Sequence, residues 1–277
     1  MTPPGDINTD ANVSTDAGAG PDDQDQQWSR AAARYDELFL DAFHPDVENP
    51  LLSALDAVAD PASKTVADLG CGIGPLLPHL VARRFGRVIA LDFAPGMIGR
   101  AKKRLGRKAS QVTFLTRPMH ELDDLAGTLD VAVAINSVVM PDVRQIDRTL
   151  AAVRAALRPG GVFLGVVPSI DAIHYHTLLL MDQSLARGSE PEEAERFAAF
   201  QAEHKYYDFA FGRFSFQGIR QKFWQPFELE HRLRKAGFAR VELAKLHYPW
   251  DDSLPCGSDF ADYPRSWDWS FVARPEP

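Results

Sequence analysis

An α/β fold built on a parallel sheet is predicted by three features of the sequence. Residues 66–74 read Val-Ala-Asp-Leu-Gly-Cys-Gly-Ile-Gly, a short apolar run followed by glycine at every second position. A second apolar run, Val88 to Leu91, ends in Asp92. Over the next hundred residues apolar runs alternate with helical periodicity, the rhythm of parallel strands joined by right-handed crossovers.

The elements follow in order. Trp28 to Phe43 reads as a helix, because Trp28, Ala31, Ala32, Tyr35, Leu38, Phe39 and Ala42 share one face. A helix from Leu51 to Val58 leads to Pro61. Val66–Leu69 is then a buried strand, apolar except for Asp68, a charge that requires a partner there. Gly70, Gly72 and Gly74 let the backbone turn sharply and approach a ligand closely. Leu76, Leu77, Leu80 and Val81 recur at helical spacing, so the loop feeds a helix N-terminus, a device that holds nucleotide-like cofactors. Pro75 stands where a dinucleotide fingerprint needs its third glycine or an alanine, which disfavours a nicotinamide enzyme. Asp92, ending the second strand, is placed to accept from a ribose. Helices are expected at about 75–84, 96–105, 119–125 and 143–156.

Beyond about residue 168 the rhythm breaks. Residues 171–203 look helical, with Ile173, Leu178, Leu179, Leu180, Met181 and Leu185 forming a broad apolar surface. Aromatic residues at 209, 211, 214 and 216, interrupted by Gly212-Arg213, suggest a hairpin before Phe223-Trp224 and a helix from Pro226 to Lys235. Val241–Leu246 and Ser266–Val272 read as closing strands, with an exposed loop from Pro249 to Asp262 between them.

Composition narrows the possibilities. The 277 residues are 45% hydrophobic, enough for one large core. Six Asp residues precede the first basic residue, so residues 1–26 read as a disordered acidic tail, without the basic start and apolar centre of a signal peptide. They account for six of the formal charge of −8. The rest, residues 27–277, forms one domain that is close to neutral and has no basic block for nucleic acid. No apolar run approaches the ~18 residues of a membrane span. Two cysteines, one inside the glycine loop, suit a reducing cytoplasm, and no metal-ligand spacing is visible.

Together Val66–Gly74 and Asp92-Phe93-Ala94-Pro95-Gly96-Met97 resemble the class I S-adenosylmethionine-dependent methyltransferases. Gln111–Leu115 and Leu129–Asn136 resemble that family's third and fourth strands, Leu157-Arg158-Pro159-Gly160-Gly161 its turn into the fifth, and Lys235–Phe238 the helix end before the sixth. The resemblance spans roughly residues 28–275 and is loosest over 168–222. It implies a Rossmann-like seven-stranded sheet in the order 3-2-1-4-5-7-6, the last strand antiparallel, with helices on both faces. It also implies that the insertion at about 168–225 is a lid over the active site, a scaffold or dimerisation arm being the alternative.

The resemblance further implies S-adenosyl-L-methionine as cofactor. Asp68 would stabilise the glycine loop and the donor's ammonium group, with Gly70, Cys71, Gly72 and Gly74 giving close backbone approach. Asp92 would hold both ribose hydroxyls, Phe93 and Met97 would pack on adenine, and Asn136 would sit where a backbone carbonyl meets the ammonium group. Pro118 replaces the acid that often binds adenine, leaving the Met119 backbone or the His120 side chain to do so. Tyr35, Met140, His174, Tyr207 and Trp224 are the substrate-side candidates, each with a packing role as its alternative. His174, His176 and His204 are the histidines considered as a base, and no catalytic residue is assigned. The expected function is in-line methyl transfer to a small-molecule acceptor, at oxygen or nitrogen, with a homodimer possible. A protein or RNA methyltransferase and a non-catalytic cofactor-binding module are the competing readings.

Overall fold

The structure is a computed structural model that describes residues 24–35, 40–201, 205–208, 210–216 and 219–276. Helix α1 (Gln24–Ala31) passes into a 3-10 turn at Ala32–Arg34. Helix α2 (Pro50–Asp56) is capped by the Asn49 side chain, which accepts from the Leu51 amide at 3.0 Å. Strand β1 (Thr65–Leu69), the glycine loop and α3 (Leu77–Ala82) follow. The chain continues through β2 (Arg87–Asp92), α4 (Pro95–Leu105), β3 (Val112–Thr116), β4 (Leu129–Ile135), α5 (Val143–Ala156) and β5 (Leu157–Val167). Next come α6 (Ile170–Ala186), α7 (Pro191–Gln201), and short strands β6 (Lys205–Asp208), β7 (Arg213–Phe216) and β8 (Ile219–Lys222). Helix α8 (Pro226–Lys235), β9 (Phe238–Tyr248) and β10 (Ser266–Pro275) close the chain.

Seven strands form one sheet in the order β3-β2-β1-β4-β5-β10-β9. β1 to β5 pair in parallel, while β10 is antiparallel to both β5 and β9. The expected strand order and antiparallel last strand are therefore present. Parallel strands require both faces covered, which is why β1, β2 and β4 are nearly continuous runs of small and branched apolar residues. One face carries Ala67, Leu69, Ile89, Leu91 and Phe163 against α5 and α8, and the other carries Val66, Val88, Val133 and Leu164 against α2, α3 and α4. Because neighbouring strand residues face opposite sides, Asp68 shares the face of Val66. That places a carboxylate at the carboxyl end of a central strand, where open α/β sheets bind ligands.

β6, β7 and β8 form a small antiparallel sheet. It is stitched to the main body where the Lys222 amide donates to the Val139 carbonyl and Trp224 bridges Ser169.

Several expectations need correction. The first helix is interrupted by the 3-10 turn at Ala32–Arg34 and does not continue to Phe43; residues 40–43 are non-helical, and 36–39 lie outside the described residues. Only a 3-10 turn at Asp123–Leu125 forms where a helix was expected over 119–125, because Pro118 and the turn that follows it break the register. The expected helix over 171–203 is two helices, separated at Gly188, whose φ of +92° ends α6. The loop from Pro249 to Asp262 is not simply exposed. Trp250 and Phe260 are buried against Leu179, Leu180 and Ala198 of α6 and α7, so the loop forms the floor of a separate apolar cluster. Residues 1–23 of the acidic tail lie outside the described residues.

Candidate functional site

β1 delivers Asp68 to the sheet's carboxyl edge, and the loop after it bends back over β2. The Gly70 and Cys71 amides both donate to the Leu91 carbonyl, at 2.8 and 2.9 Å. Gly70 has φ +70°, and a Cβ there would meet the Ser137 Cβ at 2.5 Å, so only glycine lets the loop close on the end of β4. Gly72 has φ +53°, and a Cβ there would meet nothing within 4 Å. The first glycine serves packing; the second leaves room on the ligand side. Gly74 presses on Ala101 of α4 and so anchors the loop's far end.

Asp92 ties the two strand ends together. Its Oδ2 accepts from the Gly72 amide at 2.9 Å and its Oδ1 from the Ala94 amide at 2.9 Å. The acid that the sequence places at a ribose thus also fixes the glycine loop. A cleft opens beside it, lined by Asp68, Gly70, Cys71, Gly72, Ile135 and Asn136, and by Tyr35, Leu40, Asp41, Ala42, Phe43, Pro75 and Leu76.

The electrostatics of this cleft favour a cation. Burial, reinforced by the nearby Asp92, pushes the Asp68 carboxyl up to about 8. Burial also raises Asp92, opposed by the amides of Ala94 and Gly72. The Cys71 thiol is pushed far above its usual range by burial and by both acids, so it is a packed side chain rather than a nucleophile. Two acceptor atoms, Asp68 Oδ2 and Asn136 Oδ1, are buried without a hydrogen-bond partner among the described residues. Buried orphan acceptors are costly, and an ammonium donor bound in the cleft would satisfy them.

The other expected residues divide. Met119 is brought to the loop, its sulfur 3.3 Å from where a Gly70 Cβ would lie. Phe93 is 37% exposed, free to face a ligand. His120 is half-buried beside Met119, and Met140 is half-buried against the core. Met97 is 1% exposed and packs with Ala32, Ile73 and Ala94 beneath Trp28 and Tyr35. It holds the first helix to the loop, the core-packing role that is the alternative to an adenine contact. Tyr35 lines the cleft.

Trp224 takes the packing role that was its alternative: it is fully buried, its indole N–H donates to the Val138 carbonyl at 2.8 Å, and its ring carries the Lys222 ammonium at 4.9 Å. It braces the strand end from behind. His174 is half-buried on α6, while His176 is buried with Nε2 2.9 Å from the Pro255 carbonyl, and burial lowers its basicity. The Tyr207 side chain and His204 lie outside the described residues. Among the described residues no group of three or more His, Cys, Asp or Glu side chains could hold a metal.

Sequence reasoning missed one set of residues. Asp268 of β10 accepts from Asn136 Nδ2 at 3.1 Å, from the Tyr248 hydroxyl at 2.8 Å and from the Ser169 amide at 3.2 Å. Burial pushes Asp268 up to about 6 against the pull of these three donors. Its signal, a lone acid between Trp267 and Trp269 in an apolar strand, was visible in the sequence.

A Rossmann-like sheet with an acid–glycine loop, a second acid ending β2 and orphan acceptors between them defines a class of nucleoside-type cofactor proteins. Comparison with known proteins agrees. Residues 66–161 match the family model of the methyltransferase domain. A ubiquinone biosynthesis O-methyltransferase of Xanthomonas axonopodis pv. citri is 27% identical over 210 residues, covering 73% of this chain and 74% of that protein. A highly reducing polyketide synthase of Emericella nidulans is 30% identical over 213 residues, 72% of this chain but 7% of that much longer protein.

Among solved structures, the complex between the Haloferax volcanii Trm112 methyltransferase activator and a methyltransferase matches with TM-score 0.59 and 18% identity, over 90% of this chain and 98% of that one. Burkholderia thailandensis 1,6-didemethyltoxoflavin-N1-methyltransferase with bound 1,6-didemethyltoxoflavin and S-adenosylhomocysteine matches with TM-score 0.55 and 17% identity, over 91% and 87%. The chain thus matches the methyltransferase domain family over residues 66–161 and shares the fold of S-adenosylmethionine-dependent methyltransferases. No helix among the described residues is long and apolar enough to cross a membrane.

Proposed function

We propose that this chain transfers a methyl group from S-adenosylmethionine to the oxygen or nitrogen of a small-molecule acceptor. When bound, the cofactor supplies an electrophilic methyl on a sulfonium. Asp68 and Asn136 are the groups that would take its ammonium end, the Gly72 backbone leaves room for its body, and Asp92, at the end of β2, would take its ribose. The observation that carries the reading is that Tyr35, Leu40, Ala42 and Phe43 line the same cleft as the cofactor residues. An apolar, partly aromatic wall beside the methyl donor suits an organic acceptor of small size.

The work left to the protein is alignment. Holding acceptor, methyl and sulfur in line contributes up to ~7–11 kcal/mol without any protein nucleophile. Cys71, buried and protonated, takes no covalent part. The insertion from about 168 to 225, backed by Trp250 and Phe260, is read as a lid that keeps water from the cleft, with its base fixed by Ser169 and Trp224 beside the β4 and β5 ends. Support for a small acceptor also comes from two enzymes above, one named for ubiquinone biosynthesis and one for 1,6-didemethyltoxoflavin, which it holds bound. Incubation with S-adenosylmethionine and a panel of phenols, carboxylic acids, amines and heteroaromatic compounds, read by S-adenosylhomocysteine formation, tests the reading. Turnover with a small acceptor supports it. Donor binding with turnover only on a protein or RNA, or with none at all, counts for the competing readings.

A further inference from the structure

We propose that Asp268 orients the Asn136 carboxamide so that its oxygen receives the cofactor's ammonium group, making this β10 acid a positioning residue of the donor site. The inference deepens the cofactor reading and rests on it.

The argument begins with what each group can do. A carboxylate only accepts hydrogen bonds, whereas a carboxamide donates from one end and accepts at the other. Asp268 Oδ2 lies 3.1 Å from the Asn136 side-chain nitrogen, so the amide end of Asn136 is committed to β10. Its carbonyl oxygen must then point away, and that oxygen is buried with no partner among the described residues. Asn136 lines the cleft together with Asp68, whose Oδ2 is the other orphan acceptor there. Two unmet acceptors in one cleft match a group with several N–H donors and a positive charge.

The backbone repeats the message. Asn136 sits at φ +47°, a left-handed conformation unfavourable for a residue with a Cβ, and its amide is held by the Val166 carbonyl at 2.8 Å. Strain of this kind persists where neighbouring bonds fix it. Asp268 is itself fixed, by the Tyr248 hydroxyl on β9 and the Ser169 amide after β5. No Lys, Arg or His among the described residues pairs with it, so Asp268 has no countercharge of its own. A link needed only to join β10 to the β4 end would be served by a neutral side chain. An acid there adds one property: it accepts and cannot donate, so Asn136 cannot flip.

In Asp268→Asn the new carboxamide can present its own N–H to Asn136, which then turns its oxygen toward β10 and its amide toward the ligand. Calorimetry should compare S-adenosylhomocysteine with its analogue lacking the α-amino group, on wild type, Asp268→Asn, Asn136→Ala and the double variant. Thermal melts report folding alongside. Wild type should prefer the intact ligand, and Asp268→Asn should weaken it roughly tenfold or more while leaving the deaminated analogue within about twofold. The double variant should be no weaker than Asn136→Ala, because Asp268 acts through Asn136. Equal losses for both ligands, or additive losses in the double variant, would show a merely structural link and overturn the proposal. If Asp268→Asn does not fold, Asn136→Ala decides: an unchanged preference for the amino group removes the acceptor that the proposal needs. Failure of wild type to bind S-adenosylhomocysteine at all is a different result and removes the cofactor site itself.

Discussion

Donor binding should release a proton from Asp68. In the free protein its carboxyl is pushed up to about 8, first by burial and then by Asp92, so at pH 6.5 it is mostly protonated. An ammonium group against Asp68 favours the carboxylate and pulls its pKa back toward the ordinary range. Affinity then rises with pH by up to about tenfold per unit below pH 8, or at most about 100-fold between pH 5.5 and 7.5. The ligand's own amino group, with a pKa near ~7.7–8.0, stays largely charged over that window. Asp268, at about 6, titrates within it and adds a smaller rise.

The assay is calorimetric titration of S-adenosylhomocysteine at three pH values in two buffers of different ionisation enthalpy. Close to one proton should leave per ligand bound at pH 6.5 in wild type, and few or none in Asp68→Asn. The sign for stability is opposite. A carboxyl whose pKa is raised on folding contributes fully below the unfolded value of 3.8, and its contribution is lost as pH rises toward 8. The free protein should therefore lose stability across that range through this group, and saturating ligand should raise Tm more at pH 7.5 than at pH 5.5. Binding that is flat with pH and proton-neutral in wild type would refute the pairing of Asp68 with the ammonium group.

Asp92→Ala should weaken donor binding by about 1–3 kcal/mol and also lower Tm, since the Gly72 and Ala94 amides lose their acceptor; calorimetry with a melting curve separates the two, and unchanged affinity in a folded variant removes the ribose role. Gly72→Ala should cost only about 1–2 kcal/mol of stability, from its left-handed backbone, yet impair ligand binding, because its Cβ would enter open space in the cleft. Gly70→Ala adds a collision with Ser137 and should be the more destabilising of the pair in denaturant titration. Trp250→Ala should cost about 3–5 kcal/mol by emptying the cluster it shares with Phe260 and Leu180, seen as a fall in the denaturation midpoint.

The part of the fold legible in the sequence is the part written in short-range pattern. Helix α5 was expected at 143–156 and runs from Val143 to Ala156, because its apolar stripe is regular and Asp142 caps it. β1, β2 and β4 announce themselves as apolar runs ended by Asp68, Asp92 and Asn136, and the glycine spacing marks the loop between β1 and α3. What stayed hidden depends on distant partners. Met97 and Trp224 look like ligand contacts in sequence, yet tertiary packing turns both inward. Trp250 and Phe260 lie in a stretch with turn composition whose burial is decided by α6 and α7. Asp268 meets Asn136 across 132 residues, and no local pattern records that contact.

The most direct test is titration of the purified chain with S-adenosylmethionine, S-adenosylhomocysteine and NADH, with Asp68→Asn measured alongside. Saturable binding of the first two alone, weakened in Asp68→Asn, is the result expected from the cleft of Asp68, Gly72 and Asn136. Absence of binding by both, or binding of NADH in their place, would contradict the assignment of that cleft to a methyl donor.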